Sequence, residues 1–378
     1  MGKYTLKGSN ELDARIAADM ARVAAAVARL PEAARIRAVV LLGGYGRGEG
    51  TPFLRDGKQV PFNDYDLVVV SDDLGRGEAN ALRERLKAAE GELGLACGIP
   101  VDLCLYSERR LRRAEPSLLN CEMRWGHQVV SGDPAILSLM PPYGFADVPS
   151  SEGARLLMNR GALLLDVARF LDGRPTLYEA PDPISMVKFM FKALLAFGDC
   201  ALLITGRYDI RYAAKKVLIQ ELAAEPGLPE ASFLIEQYRR AIELKEWAEV
   251  ERLLAVPLRQ EWPQVRDYFL RFLRWYEGRR LGGFGTGDGD YAARLRRCPQ
   301  PPGRVRSLCV NALAFRQQAL RPSVGWLFCH PRLRLLAALP LLLGSSPDRA
   351  QAAALLNAAG DDRDTVEERF KQLQLRFS

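Results

Sequence analysis

The stretch LLGGYGRGEG, Leu41 to Gly50, followed about a dozen residues later by FNDYDLVVV, Phe62 to Val70, decides how this chain is read. An apolar run ends in a glycine pair, Arg47 and Glu49 stand just beyond it, and the next apolar run opens with two aspartates. RAVVLLGG reads as a buried strand entering a glycine turn, and DLVVV as a second strand. Asp64 and Asp66 are spaced i, i+2 at its start, so their side chains share one face. IPVDLCLYS, Ile99 to Ser107, reads as a third strand. Val101, Leu103 and Leu105 line one face of it, and Asp102 and Cys104 point the other way.

Upstream, ELDARIAADMARVAAAVARL repeats apolar positions at helical spacing, with Asn10 as its expected N-cap. GEANALRERLKAAEGELG is a second helix. The first 110 residues thus read helix, strand, strand, helix, strand, a compact α/β unit. From about Ser151 the period becomes helical throughout, as in MNRGALLLDVARFLDG and SMVKFMFKALLAFGDCALL. We therefore expect an α/β (α+β) domain over 1–150 and an all-helical part over 151–278. A Gly/Pro-rich loop or linker is expected over 279–304 and a final helical region over 305–378.

Composition sets few limits. The chain has 378 residues, 48% hydrophobic and 26% charged, ordinary for a globular protein of two or three domains. The formal net charge of +7 permits attraction to phosphates but does not require it. Seven scattered cysteines without a CxxC pair argue against a disulfide framework or zinc site and for a reducing, cytoplasmic setting. The polar N-terminus has no signal-peptide core. The longest apolar run, LLAALPLLLG, is too short to span a bilayer and is read as core.

Chemically, Asp64, Asp66 and Asp102 form a candidate site. Paired divalent ions roughly 3.5–4 Å apart, held by carboxylates, are a common device for moving phosphorus groups. Magnesium prefers hard oxygen ligands. A solvated strand start would explain Asp64 and Asp66 alone. It does not explain Asp102 inside an apolar strand, where an unpaired carboxylate is costly. Gly43 and Gly44 let backbone amides approach a phosphate, from a turn that continues as a helix near Tyr45. Arg47 is a candidate fork for the polyphosphate, with Glu49 supporting it or the loop.

GGYGRGE, then NDYDL, then PVDL together resemble the polymerase-β-type nucleotidyltransferase superfamily. The wording of the glycine segment is similar to catalytic domains of bacterial PII uridylyltransferases. The resemblance covers about residues 36–106. It implies a mixed sheet backed by helices, a nucleoside triphosphate substrate, two Mg²⁺ ions (Mn²⁺ as a substitute) and attack by a hydroxyl acceptor on the α-phosphate. Gly43 and Gly44 would hold phosphates, with Tyr45 and Arg47 beside them, and Asp64, Asp66 and Asp102 would hold metal. It also implies a helical domain closing the nucleotide cleft, on which Lys188 and Lys192, one turn apart, are candidate triphosphate ligands. Tyr208, Lys215 and Lys216 are weaker ones. Two features depart from the pattern. Thr51 to Phe62 lengthens the connection between glycines and D-x-D, and its DGK reads as a hairpin tip of a surface insertion. With only His127 and His330, the chain lacks the histidines of a metal-dependent phosphohydrolase part, so removal of the modification is not expected. The acceptor stays open: a small molecule or protein is favoured, and RNA is possible. A regulatory nucleotide-binding module and a toxin-like tRNA nucleotidyltransferase are the competing readings.

Overall fold

A computed structural model describes residues 2–178, 181–283, 288–297, 303–315, 324–345 and 347–377. The chain forms two compact units. The first comprises Met1–Pro149 with Gly206–Leu218 and Arg239–Ala255; the second holds Ser150–Thr205, Ile219–Tyr238 and Val256–Ser378.

In the first unit the order is α1 (Asn10–Ala28), β1 (Ile36–Leu41), α2 (Gly43–Gly46), β2 (Pro52–Arg55), β3 (Lys58–Pro61), β4 (Tyr65–Ser71), α3 (Arg76–Cys97) and β5 (Val101–Ser107). Then come α4 (Glu108–Arg112), α5 (Leu118–Trp125) and β6 (Gln128–Gly132). Four strands make a mixed sheet in the order β5-β4-β1-β6. β1 is antiparallel to β4 and β6, and β4 is parallel to β5. One face of the sheet, with Val39, Leu41, Leu67, Val69, Leu103 and Leu105, packs on α1 and α3. From α1 come Leu12, Ile16, Met20, Val23 and Val27, a stripe at helical spacing, each buried side chain contributing about 1.5–3 kcal/mol. Val40, Val68 and Val70 on the opposite face are also buried, which is why β1 and β4 read as continuous apolar runs rather than alternating ones. The cap of α1 differs by one residue from expectation. Ser9 Oγ accepts the Leu12 amide at 3.2 Å, and Asn10 already belongs to the helix.

The segment between glycines and D-x-D is a hairpin. Asp56 and Gly57 both have left-handed φ, +50° and +72°, the geometry of a two-residue turn that suits the right-handed twist of β2 and β3. Its base is more embedded than a surface insertion. Phe53 is buried and packs on Phe62 with ring centroids 4.7 Å apart.

The chain continues through α6 (Ser150–Leu171), α7 (Pro183–Ile204), α8 (Tyr212–Leu218), α9 (Ala231–Glu246), β7 (Ala248–Glu249) and α10 (Val250–Leu254). The two-residue β7 is a strand absent from the sequence reading. It pairs parallel with β2, Phe53 opposite Ala248 and Leu54 opposite Glu249, giving a second, three-stranded sheet β3-β2-β7.

The second unit is helical among its described residues. To α6 and α7 it adds α11 (Leu258–Leu281), α12 (Asp288–Arg297), α13 (Arg304–Phe315), α14 (Pro331–Leu343), α15 (Arg349–Leu356) and α16 (Arg363–Phe377). Phe197 of α7 meets Tyr268, Phe269 and Phe272 of α11 at centroid separations of 5.2, 5.9 and 5.3 Å. Gly198 lets α7 approach Tyr238: a Cβ there would lie 2.2 Å from the tyrosine ring. The apolar run at Leu335 is buried within α14. Of the expected linker over 279–304, residues 284–287 and 298–302 lie outside the described residues, and α12 occupies the span between them. No helix among the described residues is long and apolar enough to cross a membrane.

Candidate active site

The D-x-D segment is held by the residue between its aspartates. Tyr65 is fully buried on the α1 side, its ring edge-on to Tyr45 at 5.2 Å, and its hydroxyl donates to Asp19 Oδ2 at 3.0 Å. Because successive side chains alternate across a strand, anchoring Tyr65 turns Asp64 and Asp66 to the other face. Asp66 lies directly opposite Asp102 in the parallel β4–β5 pair. Each of the three aspartates offers a carboxylate oxygen, and these oxygens all lie within 4.8 Å of one another. Asp66 and Asp102 are exposed and Asp64 is half-buried.

Three like charges this close repel unless a cation joins them. Partial burial, then Asp64, then Glu90 push the Asp102 carboxyl above its ordinary range, with Lys87 opposing. All-carboxylate donors with an open solvent side suit a hard divalent ion such as Mg²⁺ or Mn²⁺.

The glycine turn lies against this cluster. The Leu42 amide donates to the Asp66 carbonyl at 2.8 Å. Gly43 has φ +63°, and a Cβ there would sit 3.0 Å from Asp66 Oδ2. The amides of Gly43, Gly44 and Tyr45 open α2, so they have no partner within its single turn.

The remaining expected residues fall in three places. Tyr45 stands at the turn, but its ring is buried. Its hydroxyl donates to the Thr51 carbonyl at 3.1 Å and accepts the Phe62 amide at 2.9 Å, pinning both ends of the hairpin insertion. Arg47 turns inward, with Nε 3.2 Å from Glu49 Oε2, a terminal nitrogen 3.6 Å from Glu122 Oε2, and its guanidinium over the Tyr212 ring. Lys188 and Lys192 lie one turn apart on α7, in the second unit, half-buried among apolar neighbours.

Two supporting groups escaped the sequence reading. Asp19 on α1 is the buried acceptor beneath Tyr65. Glu90 on α3 accepts the Leu103 amide at 2.9 Å, on the open edge of β5 and one residue from Asp102. A single carboxylate on an amphipathic helix carries no local signal that distinguishes such a clasp from a solvated side chain.

No family model matches the chain, and no curated protein matches it in sequence. Among solved structures it is similar to a spectinomycin adenyltransferase from Enterococcus faecialis, solved with ATP and spectinomycin. The TM-score is 0.36 at 10% identity, over 67% of this chain and 98% of that one.

Proposed function

We propose that the protein is a metal-dependent nucleotidyltransferase that moves a nucleoside monophosphate from a triphosphate to a hydroxyl-bearing acceptor, a small molecule or a protein. One observation carries this reading: carboxylate oxygens of Asp64, Asp66 and Asp102 within 4.8 Å of one another, with Asp66 against the left-handed Gly43.

In this assignment Asp64, Asp66 and Asp102 hold divalent ions. When bound, such ions neutralise the triphosphate and stabilise charge on the attacking and leaving oxygens. The amides at Gly43 and Gly44 bind phosphate oxygens, and with no Cβ the backbone approaches them closely. Bond-making joins the acceptor oxygen to the α-phosphorus. The bond from that phosphorus to the bridging oxygen breaks, pyrophosphate leaves, and the acceptor proton passes to Asp102. Asp102 stands on the neighbouring strand directly opposite Asp66, and is the general base in this assignment. Tyr65 and Tyr45 keep this geometry by anchoring the D-x-D strand and the hairpin from below.

The test is pyrophosphate release with each nucleoside triphosphate and Mg²⁺ or Mn²⁺, in the presence of cell extract as acceptor source. Release that depends on metal and vanishes in the Asp64→Ala, Asp66→Ala double variant supports the assignment. Equal release from parent and double variant removes it. Labelled triphosphate, with products separated into protein, RNA and small-molecule fractions, identifies the acceptor. Label in RNA would favour the tRNA-modifying alternative.

A further inference from the structure

The glycine turn is tied to a distant part of the same unit by one buried carboxylate. Glu49 and Arg47 keep only 7% and 8% of their side-chain surface exposed. Glu49 Oε2 accepts Arg47 Nε at 3.2 Å, and Oε1 accepts the Tyr212 amide at 3.0 Å, across 163 residues of sequence. That amide opens α8, where no carbonyl within the helix can accept it. The backbone of Glu49 closes the turn from the other side, its amide donating to the Gly44 carbonyl at 2.7 Å. Gly44 is packed so closely that an added Cβ would lie 3.2 Å from the Glu49 carbonyl oxygen.

Around this tie the charges balance. Glu122 takes Arg47 on one oxygen and accepts the Tyr208 hydroxyl at 2.8 Å on the other, and Lys215, 2% exposed, reaches Tyr208 at 3.3 Å. Gly126 admits the Arg47 stem: a Cβ there would come 2.4 Å from Arg47 Cγ. Two carboxylates and two cations thus gather here, with Glu49, Arg47 and Lys215 buried and Glu122 partly open to solvent, and removing Glu49 leaves the buried charge of Arg47 less compensated.

We propose that Glu49 is a positioning residue: it fixes Gly43 and Gly44 in the conformation that receives the triphosphate, and so sets nucleotide affinity. This rests on the nucleotidyl-transfer reading. The aspartates have their own anchors through Tyr65 and Asp19, so loosening the turn weakens nucleotide binding and leaves metal binding by the carboxylates intact. Arg47 acts here through the turn, with its guanidinium directed to Glu49 and Glu122.

The experiment compares the parent with Glu49→Gln, Glu49→Ala and Glu49→Asp. Gln is isosteric and keeps an acceptor for the Tyr212 amide while losing the ionic tie to Arg47; Ala loses both. Loss of one charge-assisted bond should raise the KM for the triphosphate about tenfold in Glu49→Ala, with Glu49→Gln between it and the parent and kcat within about threefold. Mn²⁺ titration without nucleotide should match the parent. An unchanged KM in folded Glu49→Gln and Glu49→Asp overturns the proposal, as does a fall in kcat at constant KM. Amide hydrogen exchange supplies a readout free of turnover: residues 43–50 and 212 should lose protection in Glu49→Ala, and unchanged protection there also overturns it. A parent without turnover on any triphosphate would count against nucleotidyl transfer, while the exchange measurement still decides the tie.

Discussion

Replacing Gly43 by alanine tests the contact between turn and carboxylates. At φ +63° an L-residue is strained by about 1–2 kcal/mol. The added methyl would also stand 3.0 Å from Asp66 Oδ2, so the carboxylate must shift by a few tenths of an ångström. Asp66 is exposed and can yield at little cost to folding. Its displacement, however, takes one oxygen out of a set whose members lie within 4.8 Å of each other. Stability should therefore fall by about 1 kcal/mol, a melting shift of roughly 2–4 °C for a unit of this size. Mn²⁺ affinity should fall about tenfold, as when a ligand's supporting contact is lost. Gly57→Ala is the control, because Gly57 has φ +72° with nothing within 4 Å of the added carbon. It bears the backbone strain alone. Calorimetric Mn²⁺ titration of both variants separates strain from contact, and equal affinities for Gly43→Ala and Gly57→Ala would refute the reasoning.

Glu90→Ala frees the Leu103 amide on the edge of β5 and should cost about 1 kcal/mol in urea melts, whereas Glu90→Gln keeps an acceptor and should cost less. His330 caps α14 through Nδ1, which accepts the Arg332 amide only when unprotonated, and burial, then Arg332 and Arg306, push it down to about 4. The unfolded chain takes up that proton near 6.5, so stability should decline as pH falls from there toward 4, by on the order of 2 kcal/mol once the full shift is discounted for solvent screening of this partly open imidazole. His330→Gln should show a shallower acid slope than the parent, and parallel slopes would remove the assignment. Gly198→Ala drives a methyl into the buried Tyr238 ring and should destabilise the second unit by roughly 1–3 kcal/mol, measured by calorimetric melting.

The aspartate cluster and the hairpin turn could be read from local pattern because their geometry is local. Asp64 and Asp66 declare a face through period two, Asp102 stands out against apolar neighbours, and Asp56-Gly57 is a turn by conformational preference alone. What stayed hidden depends on contacts between distant segments. The inward course of Arg47 requires Glu122 and Tyr212, neither of which is near it in sequence. β7 is two residues long and has no periodicity to detect. Gly206–Leu218 and Arg239–Ala255 belong to the first unit although their helical period matches that of the segments around them. Amphipathicity reports that a helix buries a face, and says nothing about which core receives it.

The pairing of β2 with β7 has a consequence for biosynthesis. During synthesis the hairpin emerges long before Ala248, its partner residue in the three-stranded sheet. At about 5–20 residues per second the outer edge of β2 waits on the order of ten seconds or more for that partner. An unpaired edge of this kind invites pairing with another nascent chain. Arg55, Asp56 and Lys58, all exposed at the hairpin tip, place charges beside it during that interval. The first unit is therefore a late assembly on the ribosome, complete only after part of the second has been made.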